Sequence, residues 1–181
     1  MTSRERVWKA LNHEKPDRVP IDLGGMRASG ISAAVYAGLK KRLGLGGPVK
    51  VFDRMQILAE VEPEVLDACH VDVVPLEGAL ADWCESPAES GVRKRLFSGV
   101  DVWFPPGTDI REEQDGSWVL LNAADEPYAR MPRDGLYFDF IRTTMSRRRI
   151  DPAKYEPPDT VSDEELEVFA RRAERDRKSV V

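Results

Sequence analysis

The first thirty residues constrain this chain more than any other stretch, because they run from a capped helix through a proline-bounded turn into a strand and a glycine loop. Thr2 and Glu5 have capping-box spacing, in which the hydroxyl accepts from a free N–H of the first turn and the carboxylate reaches back to the cap. A helix therefore starts there, with Val7, Trp8 and Leu11 as its apolar side, and Pro16 sets its latest end. Arg18 to Leu23 reads as a short strand in which Val19, Ile21 and Leu23 alternate with Arg18, Pro20 and Asp22. Pro20 assigns it to an edge or to a strand start. Gly24, Gly25 and Gly30 then supply a loop whose backbone can lie close to a ligand.

Residues 1 to about 80 continue as alternating helix and strand. Ser32 to Leu43 is predicted as a helix closed by Gly44, Asp53 to Glu60 as a second, and Pro63 to Cys69 as a third with proline in its first turn. Val71 to Leu76 follows as a buried strand. Residues 81–150 change character, with short candidate strands at Val92–Phe97, Val102–Phe104, Ile110–Glu113, Trp118–Asn122 and Tyr128–Met131. Asp115-Gly116 is a good hairpin turn, so this part reads as an antiparallel meander. Asp151 to Thr160, with Pro152, Pro157 and Pro158, is an extended connector. Ser162 and Glu165 then cap a helix running to Arg175, whose stripe of Leu166, Phe169, Ala170 and Ala173 needs a partner.

Composition narrows the class. With 41% hydrophobic and 33% charged residues the chain is expected to be soluble and globular. No apolar run has the length of a membrane span and no secretory signal opens the chain, so the expected location is cytoplasmic. A net charge of −5 leaves no nucleic-acid footprint, and Arg147-Arg148-Arg149 reads as a solvated loop. Two cysteines, Cys69 and Cys84, argue against a disulfide framework. Neither phosphate-binding glycine motif occurs, and Gly44-Leu-Gly-Gly47 reads as a helix stop.

The opening block, with E-R-V, then N-H-x-x-P-D-R-V-P, then a strand and a glycine loop, resembles the amino terminus of the uroporphyrinogen decarboxylase family. So does Phe52 to Leu76, which carries a D-x-x-Q-x-L-A segment before Val71-Asp-Val-Val74. The meander is similar to an excursion seen in divergent members. The resemblance implies an α/β fold, the amino-terminal part of a (β/α)8 TIM barrel, with the meander inserted after the second barrel strand. Its parts would be residues 1–80 as the first βα units, 81–150 as the insertion, and 151–175 as connector and barrel helix. A barrel needs about 250 residues, so 181 residues imply an incomplete one. Residues 176–181, Asp-Arg-Lys-Ser-Val-Val, are what one reading frame of a common sequencing adapter encodes, and are expected to be foreign to the gene.

The same resemblance implies the chemistry. Family decarboxylases bind substrate carboxylates with M-R-Q-A-G-R, because a guanidinium fork pairs a carboxylate bidentately. Here the chain reads Met26-Arg27-Ala28-Ser29-Gly30-Ile31, so Arg27 fills the first arginine position and Ile31 stands at the second. Arg27, Ser29 and Asp22 are the expected substrate-binding residues at the pocket mouth, with Glu77 as the nearest carboxylate to the family's F-S-D-I acid. The other family branch comprises zinc- and corrinoid-dependent methyltransferases, whose metal is held by a histidine and two cysteines. No H-x-C occurs, and His13, His70, Cys69 and Cys84 read as structural, so no metal or cofactor is expected in this chain itself. The full-length enzyme would act on a tetrapyrrole, or on a methyl donor and acceptor, with no nucleic-acid or membrane partner. The alternative is a non-catalytic binding or interaction domain that reuses the family's first strands.

Overall fold

The computed structural model describes residues 1–75 and 91–141, and residues 162–164, 166, 167, 170 and 171 of a carboxyl-terminal helical stretch. Glu77, Cys84, the arginine cluster, the proline-rich connector and residues 176–181 lie outside the described residues. The fold is mixed α/β with two four-stranded sheets, and the described strands do not close into a barrel.

Helix α1 (Ser3–Leu11) starts at the expected capping box, with the Thr2 hydroxyl accepting from Glu5 N and the Glu5 carboxylate accepting from Thr2 N. It presents a different side to the protein from the one its apolar residues suggest. Trp8 and Leu11 are 64% and 66% exposed, and the buried residue is Arg6. The reason is electrostatic: the Arg6 guanidinium turns inward onto two carboxylates, and this fixes which side of a short helix faces the protein.

The expected strand at Arg18–Leu23 is reduced to a single parallel bridge between Asp22 and Val73, and that bridge is also the pairing found within the described part, residues 71–75, of the strand expected at Val71–Leu76. Strand pairing needs neighbours as well as a suitable pattern, and no further ladder flanks this bridge among the described residues. Helix α2 (Ala33–Arg42) is capped by the Ser32 hydroxyl, and Gly44 beyond its end takes φ +71°. Helix α3 (Pro63–Ala68) has its proline at the first turn and ends at Cys69.

The helix expected over Asp53–Glu60 does not form. Val49–Asp53 is a strand, β1, and Leu58–Ala59 is a second, β2, which folds back antiparallel onto it. Asp53 Oδ1 accepts from Gln56 N at 2.8 Å, a bond that would equally cap a helix, so the departure from helix is decided downstream. Ile57 then takes φ +51°, a strained conformation for a β-branched residue. It is held there by burial and by tertiary bonds, Ala33 N to Ile57 O and Ala59 N to Ile31 O, both 2.8 Å.

The meander forms close to the expected boundaries. Strands β3 (Val92–Arg95) and β4 (Asp101–Phe104) make a hairpin, and β5 (Asp109–Glu112), β6 (Trp118–Leu121), β7 (Pro127–Met131) and β8 (Asp139–Phe140) form the second sheet in chain order. At the Asp115-Gly116 turn the glycine takes φ +78°, and Asp115 Oδ1 accepts from both the N–H and the hydroxyl of Ser117. Those bonds hold the Asp115 carboxyl below its ordinary value.

One pairing lay beyond the sequence pattern: β4 runs parallel to β1, with Val49 opposite Val102 and Lys50 opposite Trp103. The first sheet is therefore ordered β2-β1-β4-β3. A single apolar cluster joins both sheets, including Val51, Val102 and Phe104 from the first and Ile110, Trp118, Leu120 and Met131 from the second. Phe138 N donating to Met55 O at 2.7 Å adds a polar tie between them.

Candidate functional site

Three of the four expected site residues lie on one loop, between the bridge residue Asp22 and helix α2. Asp22 Oδ1 accepts from Gly25 N at 2.8 Å, and Gly24 N donates to Ser29 O at 3.0 Å. The Ser29 hydroxyl accepts from Met26 N and donates to Met26 O, both at 3.1 Å. Asp22 and Ser29 thus hold the loop's own shape. Arg27 alone reaches out of it, placing Nε 2.9 Å from Asp53 Oδ2 at the end of β1, with 66% of its side chain exposed.

Gly24 is required by geometry rather than by ligand approach. Its φ is +82°, and a Cβ there would lie 2.8 Å from Val61 Cγ2. Gly24→Ala is expected to destabilise the protein by about 1–2 kcal/mol through the left-handed backbone alone, read as a lower urea midpoint with an unchanged slope.

Arg27 opens onto a groove at the carboxyl end of β1. Two depressions adjoin there. The first, about 230 Å³, is lined by Arg27, Phe52, Asp53, Arg54, Met55 and Tyr128. The second, about 440 Å³, is lined by Arg54, Asp109, Asn122, Asp125 and Tyr128 among others. Arg54 and Tyr128 belong to both. Tyr128 is positioned by β7 and by its ring contact with Phe140, centroids 6.4 Å apart. The far wall is shaped by Asn122, whose Oδ1 accepts from Ala124 N and Glu126 N and so folds the β6–β7 turn. Asp125 in that turn takes φ +59°. Ends of parallel strands are where α/β folds collect their ligand-binding groups, and β1 and β4 make the parallel pair here.

A second cluster is buried and was not foreseen as a site. Asp72, 1% exposed, receives Arg6 Nη1 at 2.5 Å, Arg18 Nη1 at 2.6 Å and Ile21 N at 2.9 Å. Arg6 also grips Asp17 through Nε at 2.6 Å and Nη2 at 2.9 Å. The Arg6 bond, with help from the Arg18 N–H, holds the Asp17 carboxyl well below its ordinary range. Burial pushes the Asp72 carboxyl up, but bonds from Ile21 N–H, Arg18, Ser3 and Arg6 outweigh it and bring it down to about 2. The sequence signal was there to be found: Asp72 is the lone charge in Val71-Asp-Val-Val74, and such a charge needs cationic partners if the run is buried.

Among the described residues no three His, Cys, Asp or Glu side chains gather closely enough to hold a metal ion. Cys69 caps the end of α3, while His70 and His13 take φ +53° and +59° just after α3 and α1. Among the described residues, Cys69, His70 and His13 do not gather into a zinc donor set. No described helix is long and apolar enough to cross a membrane. No family model, curated protein or solved structure matches the chain.

Proposed function

We propose that this chain is the amino-terminal part of a (β/α)8 barrel enzyme of the uroporphyrinogen decarboxylase type, whose substrate is a tetrapyrrole or a methyl donor and acceptor. The observation that carries the reading is the meeting of the two blocks that resemble the family. Asp72 of Val71-Asp-Val-Val74 sits between Arg6 of Glu5-Arg-Val7 and Arg18 of Asp17-Arg-Val-Pro20, and the neighbouring residues Asp22 and Val73 pair in parallel. A glycine loop directly after the first of two parallel segments also supports it, because barrel enzymes build their sites from such loops. Arg27 on that loop is the residue assigned to a substrate carboxylate.

A non-catalytic binding domain is the second reading, and one observation favours it. One apolar cluster runs through both sheets, so the described strands pack on one another. Long-read sequencing of the source locus across the codon for Arg175 separates the two. Continuation of the frame into further strand and helix units is the expected result, and an H-x-C with a later cysteine there selects methyl transfer. A genomic stop after Val181 overturns the enzyme reading and leaves the binding domain.

A further inference from the structure

Helix α1 is fastened to the protein by charge and hydrogen bonds rather than by apolar packing. None of Val7, Trp8, Ala10 and Leu11 belongs to the apolar cluster that joins the sheets or packs against it, and Trp8 and Leu11 stand mostly exposed. Among the described residues, the side-chain bonds that reach beyond the helix and its own turns are those of Arg6 to Asp17 and Asp72, and of Ser3 to Asp72. The ion pair of Lys9 with Glu14, at 3.7 Å, closes only the turn that follows the helix.

That turn is built to act as a hinge. Asn12 ends the helix, His13 takes φ +59°, and Pro16 offers no backbone donor just before Asp17. Beyond it Asp72 is held a second time, by Arg18 Nη1 at 2.6 Å and by Ile21 N at 2.9 Å. Losing the Arg6 clasp therefore leaves the buried carboxylate still paired, which lowers the cost of opening. A segment that buries little apolar surface shares little of the core's cooperativity, and such segments open at the low end of local stability.

We propose that α1 is an acid-released strap, clasped by Arg6 to Asp17 and Asp72, which opens as one unit about residues 12–16 while both sheets and the Asp22–Val73 pair stay folded. The charged groups that face the two carboxylates among the described residues are Arg6, Arg18 and the amino group of Met1, 3.9 Å from Asp17. All three are cations that keep their charge as pH falls, so protonation of the carboxylates undoes the clasp. Both carboxyls are held below their ordinary value of 3.8, so the strap is fully fastened above about pH 4 and loosens as pH falls below it. Opening bares Asp72 and its bond to Ile21 N, next to the Asp22 that shapes the Arg27 loop. The strap does not depend on the barrel reading.

Native-state hydrogen exchange of the 181-residue chain tests this at pH 6 and pH 3, read amide by amide and corrected for the intrinsic pH dependence of exchange. The amides of residues 7–11 should share one opening constant, larger than that of Ile21, Asp72 and the amides of β1, β4 and β6. That constant should rise about tenfold on going to pH 3. Asp17→Asn should raise it about fivefold at pH 6, uniformly across residues 7–11, and Lys9→Gln less than about twofold. Asp17 is 43% exposed, and unchanged exchange in the sheets shows that its variant is folded. Protection lost only together with the sheets overturns the proposal. So does a gradient of protection from the helix ends, which marks ordinary fraying, or a response to Lys9→Gln as large as that to Asp17→Asn.

Discussion

Asp72→Ala is expected to cost about 3 kcal/mol of folding stability, because removing one partner of a buried ion pair strands the others. Its side chain has no exposure, and its loss leaves the Ile21 N–H and the inner arm of Arg6 without their acceptor. Natural domains carry about 5–15 kcal/mol in total, so this one substitution removes a large fraction. Urea unfolding followed by tryptophan fluorescence measures it. Asp101→Ala is the control: Asp101 meets Arg93 and Arg95 at 3.2 and 3.5 Å in the open, and exposed pairs are worth about 0–1 kcal/mol. Equal losses in the two variants would show that the buried cluster carries no special weight.

The same carboxylate sets a pH dependence. Its folded value of about 2 lies below the ordinary 3.8, so its contribution is fully present above the ordinary value and is lost as pH falls toward 2. Asp17, also depressed, acts in the same direction. The wild-type urea midpoint should therefore fall between about pH 4 and pH 2, and Asp72→Asn should flatten that fall. A variant with an undiminished acid slope would assign the effect to other carboxylates.

Phe104→Ala should be at least as costly, about 3–5 kcal/mol, the range for emptying a buried aromatic site. Phe104 is fully buried at the end of β4, paired with Val92 of β3, and belongs to the cluster that joins both sheets. Little can collapse into the space, because its own strand, β4, is pinned on both edges, by β3 on one and β1 on the other. Phe140→Ala provides the contrast. That ring is 60% exposed on β8, and its loss should stay within about 1 kcal/mol. Similar midpoints for the two variants would mean that the shared core does not carry the fold.

The elements that were legible in the sequence are those whose signals are local. Helices α1 and α2 announced themselves through Thr2, Glu5 and Ser32, whose side chains bond to backbone three residues away, and α3 through Pro63. The strands of the meander followed from short runs set between turn residues, and the Asp115-Gly116 turn from a residue pair suited to it. The reading failed where a partner far along the chain decided the matter. Asp53–Glu60 has helical spacing, yet Ile31, Ala33 and Lys50 supply the bonds that make it a turn and a strand. Strand β8 has two residues and no pattern of its own; Ala129 and Arg130 across the ladder define it.

The site divides in the same way. Arg27 was marked by its place in a glycine loop, and the structure sets it at the mouth of a groove. Arg54, Asp109, Asp125 and Tyr128 carried no mark, since they come from three separate stretches, the end of β1, the start of β5 and the β6–β7 turn with β7, which only the pairing of β5, β6 and β7 and the packing of the two sheets bring together.

By itself, then, the order of residues determined where helices begin, where turns fall and which loop is rich in glycine, because capping, φ preference and alternation act over three or four residues. Tertiary structure alone decided which face of α1 is buried, how β4 joins β1, and which charges share a groove. Those depend on contacts between residues as far apart as Arg6 and Asp72, whose desolvation and pairing outweigh any local preference.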